Sequence, residues 1–369
     1  MFRTFRGHPM DDEDFMRRAI ELAEKGRYSV RPNPLVGCVI VRNGGIIAEG
    51  WHDHIGGLHA EQMAIADAES RGVETQGAIA YVTLEPCNHF GRTPPCSEAL
   101  MWAGVKKVVI GAADPNPTVR GGGLEALKRE GIDVEIGVLE KECNQQMSAF
   151  MHWCKYRRPY VLLKAATDNN GRIDGDPEKP AVRFSSKESL EIVHEIRRDS
   201  MAIVVGVNTV IRDDPKLTVR EGKSSANDIT PKRVVIDPKN RIPNDCYLMT
   251  TPNAETYLIN AEKYDSTNDK EHVNRIVLPS ENGEIDVKKI LDCLGDLEVQ
   301  TLLVEGGLET WKRFLEEKLV DSAHLCISKI ELDAKNKYYF NKGHLEAAGL
   351  VMKNEIISGN DIITKWERT

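Results

Sequence analysis

The sequence lacks any long hydrophobic run, and this absence excludes a membrane-spanning helix. No apolar stretch reaches the ~18 residues that such a helix needs. Residues 1–10 include Arg3 and Arg6 but no apolar segment, so they do not resemble a signal peptide. We therefore expect a cytoplasmic protein without a membrane partner.

Cysteine is also scarce, and acidic residues outnumber basic ones. Eight cysteines in 369 residues are too few for a disulfide scaffold, and a reducing compartment keeps them as thiols. The net charge of −8 offers no basic surface for nucleic acid, so a small molecule is the expected partner. Six of the cysteines are interpreted as small buried hydrophobic residues: Cys38, Cys143, Cys154, Cys246, Cys293 and Cys326.

The length of 369 residues favours two domains. Both halves alternate predicted strands with predicted helices, a pattern typical of α/β sheets covered on both faces. The basic stretch 155–159 (KYRRP) follows the last predicted helix of the first half and precedes a new strand. We therefore predict a first domain over residues 1–150 and a second over residues 151–369.

Hydrophobic periodicity and capping residues predict the elements of both halves. The first half has predicted helices over 11–26, 59–68, 97–103, 124–130 and 139–153, and strands over 36–41, 46–48, 80–84, 107–111 and 134–137. The second half has predicted helices over 186–199 and 310–317, strands over 160–165, 202–206, 233–237 and 301–305, and surface loops over 222–232 and 262–274.

The clearest chemical pattern lies in the first half. His59-Ala60-Glu61 is followed by Pro86-Cys87 and then by Cys96. One imidazole and two thiolates are usual zinc ligands, and three protein ligands leave a fourth position open for a water whose pKa the metal lowers. Taken together, the residues match the known signature of zinc-dependent nucleobase deaminases. We interpret His59, Cys87 and Cys96 as the ligands of one Zn²⁺ ion.

Glu61 is the predicted catalytic residue. Deamination needs a proton shuttle from water to a ring nitrogen and to the departing ammonia, and Glu61 lies two residues from the predicted ligand His59. At the start of a helix, both side chains can face the metal. Pro86 is predicted to begin a second helix, whose N-terminal amides would favour the Cys87 thiolate.

A structural zinc site stays open as an alternative. Such sites usually have four protein ligands, and His89 would be the fourth. Taken singly, the His-x-Glu pair would be an ordinary helix surface and the two cysteines ordinary core residues. Their occurrence together, in this order and directly after a predicted strand, favours the catalytic interpretation.

The loop between the two cysteines carries a family resemblance. Residues 86–96 (PCNHFGRTPPC) separate them by eight residues, unlike the short Cys-x-x-Cys of cytidine deaminases. This loop closely resembles the deaminase domain of the bifunctional riboflavin biosynthesis deaminase/reductase family. Residues 31–41 (RPNPLVGCVIV), 83–87 (TLEPC) and 114–117 (DPNP) resemble the same family, and the likeness covers about residues 11–150.

The resemblance implies a cytidine-deaminase-like three-layer α/β/α fold and a substrate. The substrate is 2,5-diamino-6-(5-phosphoribosylamino)pyrimidin-4-one, which loses its C2 amino group. The residues implied to line its pocket are Asn33, His52, His89, Arg92 and Thr93. Ordinary alternatives stay open, because Asn33 can be a turn residue and His52 and His54 can be surface histidines.

Residues from about 159 to 369 resemble the reductase domain of the same family, which implies a dihydrofolate-reductase-like α/β fold and NADPH as cofactor. The matching motifs are 207–210 (VNTV), 213–220 (DDPKLTVR), 233–237 (RVVID) and 304–307 (VEGG). By this resemblance NADPH contacts Thr209, Asp213, Gly306 and Gly307. The substrate contacts Arg197, Leu217, Arg220 and Glu305.

Two features of this half are suited to phosphate. The predicted turn from strand into helix at 304–310 offers free amides and a helix dipole that attract an anion. Arg197 and Arg220 are candidates to pair with the ribose phosphate of the substrate.

The second half also departs from the family pattern. The usual Ser-Leu-Asp-Gly is replaced by 167–171 (TDNNG), and Arg183 stands where an aromatic residue is expected beside the cofactor. A Pro-Lys-Leu-Leu-Gly-like segment is missing after 328–330 (SKI).

The leading hypothesis is a bifunctional enzyme that forms a homo-oligomer, either a dimer or a tetramer.

Three alternatives stay open. The first is a deaminase whose degenerate reductase-like domain is a binding or dimerisation module. The second is a deaminase for free or RNA-embedded bases, which the acidic composition and the long loop disfavour. The third is a non-enzymatic zinc module.

Overall fold

The computed structural model describes residues 10–89, 94–116, 122–176, 179, 183–219, 229–332, 335 and 338–368. The chain divides into two compact units. One comprises Met1–Tyr156 and Ala226–Ile229, and the other comprises Arg157–Ser225 and Thr230–Thr369. The first unit extends beyond the predicted border at residue 150 because the helix Ser148–Tyr156 crosses that border.

The first unit contains one five-stranded sheet. Its strands are β1 (Gly37–Arg42), β2 (Gly45–Trp51), β3 (Ile79–Leu84), β4 (Lys107–Ala112) and β5 (Asp133–Ile136), in the order β2-β1-β3-β4-β5. Its helices are α1 (Asp12–Ala23), α2 (Ala60–Ser70), α3 (Cys96–Trp102), α4 (Gly122–Arg129), α5 (Glu140–Gln146) and α6 (Ser148–Tyr156). Strand β1 is antiparallel to β2 and β3, whereas β3, β4 and β5 are parallel.

Local sequence explains where these elements begin and end. Asp11 caps α1 by accepting a hydrogen bond of 3.0 Å from the Asp14 amide, and a short 3-10 turn ends the helix at Gly26. The β1–β2 turn uses Asn43 and Gly44, both at positive φ, as a two-residue hairpin turn requires. The predicted strands 36–41 and 46–48 therefore form a β-hairpin.

The sheet of the first unit is buried between two helical layers. One core cluster joins α1 and α5 to one face through residues such as Met16, Leu22 and Val39. The other cluster joins α2, α3 and α4 to the opposite face, where Ala60 and Ala64 of α2 lie on the sheet. Because small residues allow close approach, α2 can lie directly against β2.

The second unit contains a nine-stranded sheet and a two-stranded one. The large sheet has the order β10-β9-β8-β7-β13-β6-β14-β16-β15, with strands β6 (Tyr160–Thr167), β7 (Ala202–Gly206), β8 (Lys232–Ile236), β9 (Thr256–Asn260), β10 (Val273–Val277), β13 (Thr301–Val304), β14 (Ser322–Ile327), β15 (Leu350–Ser358) and β16 (Asp361–Arg368). The small sheet pairs β11 (Ser280–Glu281) with β12 (Glu284–Ile285). The helices are α7 (Lys187–Asp199), α8 (Val207–Asp213), α9 (Tyr247–Thr250), α10 (Val287–Asp296), α11 (Leu308–Glu316) and α12 (Lys342–Ala347).

Helices also cover both faces of the large sheet. One cluster buries α10, α11 and α12 against residues such as Val161 and Leu163 of β6. The other buries α7, α8 and α9 against residues such as Ile203 of β7 and Leu303 of β13. The strands from β10 to β14 in the sheet order are parallel, so their carboxyl ends share one edge, where ligands bind in open α/β sheets.

Several predicted elements are wrong in detail. The predicted helix 139–153 is two helices, α5 and α6, separated at Met147. No helix begins at Pro86, since the helix after this loop begins at Cys96. The predicted loop 262–274 ends in strand β10, and most of the predicted loop 222–232 lies outside the described residues.

The three C-terminal strands, β14 to β16, were not predicted. Polar residues such as His324 and Lys365 within them obscure the period-two pattern that marks a strand. Within the described part of the chain, no helix is long and apolar enough to span a bilayer.

The close approach of α2 to β2 at Gly50 is testable. A Cβ atom at Gly50 would lie 2.3 Å from both the Ala60 carbonyl oxygen and the Ala64 amide nitrogen. We expect Gly50→Ala to displace α2 and to lower the free energy of unfolding by about 1–3 kcal/mol in urea denaturation. Gly175→Ala is the control, because a Cβ there has no atom within 4 Å. Wild-type stability of Gly50→Ala would contradict the packing described.

Candidate active sites

The three predicted zinc ligands come together in the first unit. His59, Cys87 and Cys96 place their ligand atoms within 4.8 Å of one another. The His59 Nδ1 atom lies 3.2 Å from the Cys96 Sγ atom and 3.6 Å from the Cys87 Sγ atom. This donor set fits zinc. Among the described residues, His89 does not join the group, so the arrangement is that of an open, three-ligand site.

The start of α3 holds the two cysteines together. Cys96 is the first residue of α3, and its amide donates to the Cys87 Sγ atom at 3.4 Å. Hydrogen bonds from the Cys96 thiol and from His59 lower the pKa of Cys87 to about 4. A helix amide does favour the Cys87 thiolate, as predicted, but the helix is the one that begins at Cys96.

Glu61 is buried beside these ligands, with 3% of its surface exposed. It belongs to the first turn of α2, and His59 is the N-cap residue of the same helix. Burial, and next the charge of Cys87, raise the pKa of Glu61 to about 7. A carboxyl group with this pKa is suited to both accept and donate a proton near neutral pH.

A cavity of about 260 Å³ opens onto these residues. Asn33 and His52 line it, and the Asn33 Nδ2 atom lies 3.0 Å from the His52 Nε2 atom. The His52 Nδ1 atom faces the Leu58 carbonyl at 2.9 Å, so Nδ1 carries the proton and Nε2 accepts from Asn33. Burial lowers the pKa of His52, which keeps the ring neutral.

The other residues predicted for this pocket differ in placement. His89 lines the cavity although it is exposed, whereas Arg92 and Thr93 lie outside the described residues. The surface-histidine alternative is wrong for the buried His52 but correct for His54, which is exposed and pairs with Asp53. The alternative that Asn33 is a turn residue is also correct, because its backbone amide donates a hydrogen bond to the Val30 carbonyl.

The cavity is also lined by residues that were not predicted to belong to a site, among them Glu85, Asp114, Asn116 and Phe150. Asp114 and Asn116 belong to the 114–117 motif that follows β4, and their place at the carboxyl end of a parallel strand was the available indication. Burial, together with the nearby Glu85 carboxylate, raises the pKa of Asp114. Nothing in the local sequence marked Phe150.

In the second unit, a glycine turn joins β13 to α11. Gly306 has a φ of 108°, and a Cβ atom there would lie 2.9 Å from the Thr209 Oγ1 atom. The Gly307 amide donates to the same Thr209 hydroxyl at 3.1 Å. The structure therefore brings three of the predicted NADPH residues together, in a turn whose conformation at Gly306 favours glycine.

Arg197 and Glu305 form a buried, two-bond ion pair next to this turn. The Arg197 Nε and Nη2 atoms donate to the Glu305 carboxylate at 2.8 and 2.6 Å, and Arg197 Nη1 donates to the Thr218 carbonyl at 3.2 Å. Burial alone would raise the pKa of Glu305, but the charge of Arg197 holds it below the usual value. Two residues predicted to face the substrate thus hold each other in place.

The remaining predicted residues of this half lie nearby or outside the described part. Leu217 is buried at a φ of 48°, a region that non-glycine residues rarely adopt. Asp213 ends α8 and is exposed, and Arg183 is exposed as well. Arg220 lies outside the described residues.

Lys164 is a further residue that the sequence did not reveal. It lies on β6, and burial lowers the pKa of its ammonium group while the charge of Glu305 raises it. Alternation along β6 places it on the sheet face of Leu162, opposite the fully buried Leu163. A lysine inside a strand has no sequence motif, so only the fold could show that it lies near Glu305.

Comparisons with known proteins agree with both sites. Residues 9–112 match the family model of the cytidine and deoxycytidylate deaminase zinc-binding region, and residues 159–359 match the RibD C-terminal domain. The riboflavin biosynthesis protein RibD of Actinobacillus pleuropneumoniae is 40% identical over 86% of this chain and 84% of its own. That of Escherichia coli is 37% identical over 86% of this chain and 88% of its own.

Solved structures show the same likeness over the whole chain. Acinetobacter baumannii RibD has a TM-score of 0.85 at 34% identity, and the alignment covers 97% of this chain and 99% of that one. The diaminohydroxyphosphoribosylaminopyrimidine deaminase/5-amino-6-(5-phosphoribosylamino)uracil reductase of Thermotoga maritima has a TM-score of 0.82 at 34% identity, with the same coverage.

The fold and the sites define a zinc-dependent deaminase joined to an NADPH-dependent reductase. The chain belongs to the RibD family of bifunctional riboflavin biosynthesis enzymes. The predicted family, fold class, paired activities and cofactors are thereby confirmed. The individual residue roles stay predictions, and they are tested below.

Zinc binding gives the first test of those roles. We expect Cys87→Ser to lose most of its zinc, because a hydroxyl replaces the thiolate of a three-ligand site. Metal analysis of the purified variant measures the loss. Cys293→Ser is the control, since Cys293 lies in the second unit and is not part of the ligand group. Full zinc retention in Cys87→Ser would show that the ligand assignment is wrong.

Proposed function

We propose that the first unit removes the C2 amino group of 2,5-diamino-6-(5-phosphoribosylamino)pyrimidin-4-one. The position of Glu61 carries this proposal, because its buried carboxyl group lines the same cavity as His59 and Cys87. The name of the Thermotoga maritima relative supports the choice of substrate.

Glu61 is proposed to move the protons of this reaction. Zinc held by His59, Cys87 and Cys96 supplies the Lewis acid that makes water nucleophilic near neutral pH. Glu61 accepts one proton from the attacking water and donates it to the ring nitrogen. It then accepts the second proton of that water from the hydroxyl group now bound to C2 and donates it to the amino group, which leaves as ammonia while C2 becomes a carbonyl carbon. Asn33 is proposed to orient the ring, since its hydrogen bond to the neutral His52 fixes the direction of the amide.

We propose that the second unit reduces the ribosyl group of 5-amino-6-(5-phosphoribosylamino)uracil to ribityl. NADPH supplies the hydride, so the chain itself mainly has to orient the two reactants. The turn at Gly306 and Gly307, with Thr209, is proposed to hold a cofactor phosphate, and Asp213 to contact the same cofactor. Leu217 and the Arg197–Glu305 pair are proposed to face the substrate.

Arg220 is the proposed partner of the substrate phosphate. Arg197 was the other candidate, but its contacts to Glu305 and Thr218 engage all three of its nitrogen atoms. Arg197 is therefore proposed to position Glu305, which leaves the phosphate to Arg220.

The alternative of a degenerate reductase-like domain is not favoured. The RibD C-terminal model matches residues 159–359, which include the positions 167–171 and 183 that depart from the family pattern. The contacts of Thr209 with Gly307 and of Arg197 with Glu305 support the proposal of an active reductase. We further propose a cytoplasmic homo-oligomer. The eight free cysteines support a reducing compartment, and sedimentation analysis tests the oligomeric state.

Glu61→Gln tests the deaminase mechanism. The amide keeps the shape of the side chain but cannot shuttle protons, so we expect ammonia release to fall by about 10²–10⁴-fold. Zinc content and the unfolding temperature should stay near those of the wild type. Glu69→Gln, at an exposed position of the same helix, is the control. Near-wild-type turnover of Glu61→Gln would remove Glu61 from the mechanism.

Arg220→Ala tests the proposed phosphate contact. A lost charge-assisted hydrogen bond contributes about 1.5–3 kcal/mol, so the KM for the deaminated substrate should rise by about 10-fold or more. The Kd for NADPH should change little. Lys216→Ala removes a neighbouring exposed cation and is the control. An equal loss of substrate and NADPH binding in Arg220→Ala would contradict a specific phosphate contact.

A further inference from the structure

Arg212 is a charged residue that the proposed reaction does not use. It is the next-to-last residue of α8, the helix that also carries Thr209 and Asp213. Its side chain leaves the helix toward the segment that begins at Asp174, within the part of the sequence that departs from the family pattern. The arginine is therefore next to both proposed cofactor residues and the altered segment.

The guanidinium group of Arg212 makes four contacts with this segment. Its Nε and Nη2 atoms donate to the Asp174 carboxylate at 3.1 and 3.4 Å. Its Nη2 atom also donates to the Asp176 carbonyl at 3.3 Å, and its Nη1 atom donates to the Lys179 carbonyl. The Arg212 cation is thus paired with the Asp174 carboxylate and also bound to two backbone carbonyls.

The surroundings of Arg212 are acidic. Although Asp213 is exposed as a residue, neighbouring atoms partly desolvate its carboxyl group and raise its pKa, as does the charge of Asp174, whereas the charge of Arg212 lowers it. Asp176 has cationic neighbours of its own in Lys335 at 3.2 Å and Lys179 at 3.8 Å. Arg212 is thus the cation that offsets Asp174 and Asp213.

This balance matters because NADPH carries several negative charges. Uncompensated carboxylates at the end of α8 would repel the cofactor from Thr209 and Asp213. We propose that Arg212 is a positioning residue for NADPH binding: by pairing with Asp174 it offsets the carboxylates at the end of α8, so that this helix can accept an anionic cofactor. The inference rests on the cofactor site assigned under the proposed function.

The test is a titration of the full-length, zinc-loaded protein with NADPH at low ionic strength, in which the fluorescence of the cofactor reports binding. Arg212→Gln should raise the Kd for NADPH by about 5- to 10-fold, as expected for one partly exposed charge pair. Adding Asp174→Asn to this variant should restore the Kd to within about threefold of the wild type, because the unpaired carboxylate is removed. A purely structural role predicts no such recovery.

Three further variants make the outcome decisive. Arg212→Lys keeps the charge, so its Kd for NADPH should stay within about threefold of the wild-type value. Asp174→Asn alone should raise the Kd by no more than about twofold. Lys342→Gln breaks the exposed Lys342–Glu355 pair of the same unit and should leave the Kd unchanged. Raising the salt concentration should shrink the effect of Arg212→Gln, since salt screens exposed charges.

The inference is overturned if Arg212→Gln binds NADPH like the wild type, or if the double variant stays as weak as Arg212→Gln. If Arg212→Gln does not fold, Arg212→Lys and Asp174→Asn decide, because a large loss of affinity in either contradicts the role of charge. Thr209→Val tests the cofactor site separately. If Thr209→Val binds NADPH with the Kd of the wild type, the proposed cofactor site is itself overturned. If Thr209→Val binds NADPH more weakly but Arg212→Gln binds it like the wild type, only the role of Arg212 is overturned.

Discussion

The deaminase site depends on the contact between one helix and one strand. Helix α2 lies on β2 so closely that Gly50 has no room for a side chain beyond hydrogen. This contact fixes the N-terminus of α2, and with it His59 as N-cap and Glu61 in the first turn. The two cysteines come from a different part of the chain, after β3 and at the start of α3. The predicted metal ligands meet because the sheet sets the distance between these two helix starts.

The reductase site is organised by charge balance at the carboxyl edge of a parallel sheet. The Arg197–Glu305 pair is buried beside the glycine turn, and Lys164 lies near the same carboxylate. Removing one partner of such a pair leaves a buried, unpaired charge, which is far more costly than losing an exposed pair. Arg212 has the corresponding role at the end of α8, where an anionic cofactor is proposed to bind.

The two sites differ in how far sequence alone could describe them. His59, Glu61, Cys87 and Cys96 form a pattern because metal chemistry restricts the residue types and their order. Glycines in a strand-to-helix turn are similarly restricted by the positive φ of Gly306. Phe150 and Lys164 have no such restriction on their neighbours in sequence. Their part in a site comes from the strand or helix that carries them, so they could not be recognised beforehand.

The sequence by itself determined the α/β fold class and the family, and it predicted the zinc ligand set and the role of Glu61, because periodicity, capping and metal-binding motifs are local properties. Tertiary structure decided which helix starts beside Cys87, that His52 is buried and neutral, and that Arg197 is paired with Glu305. It also decided that Arg212 offsets Asp174, a partner 38 residues away in sequence. These features depend on distances between segments that are remote in the chain, and only packing of the folded sheets sets those distances.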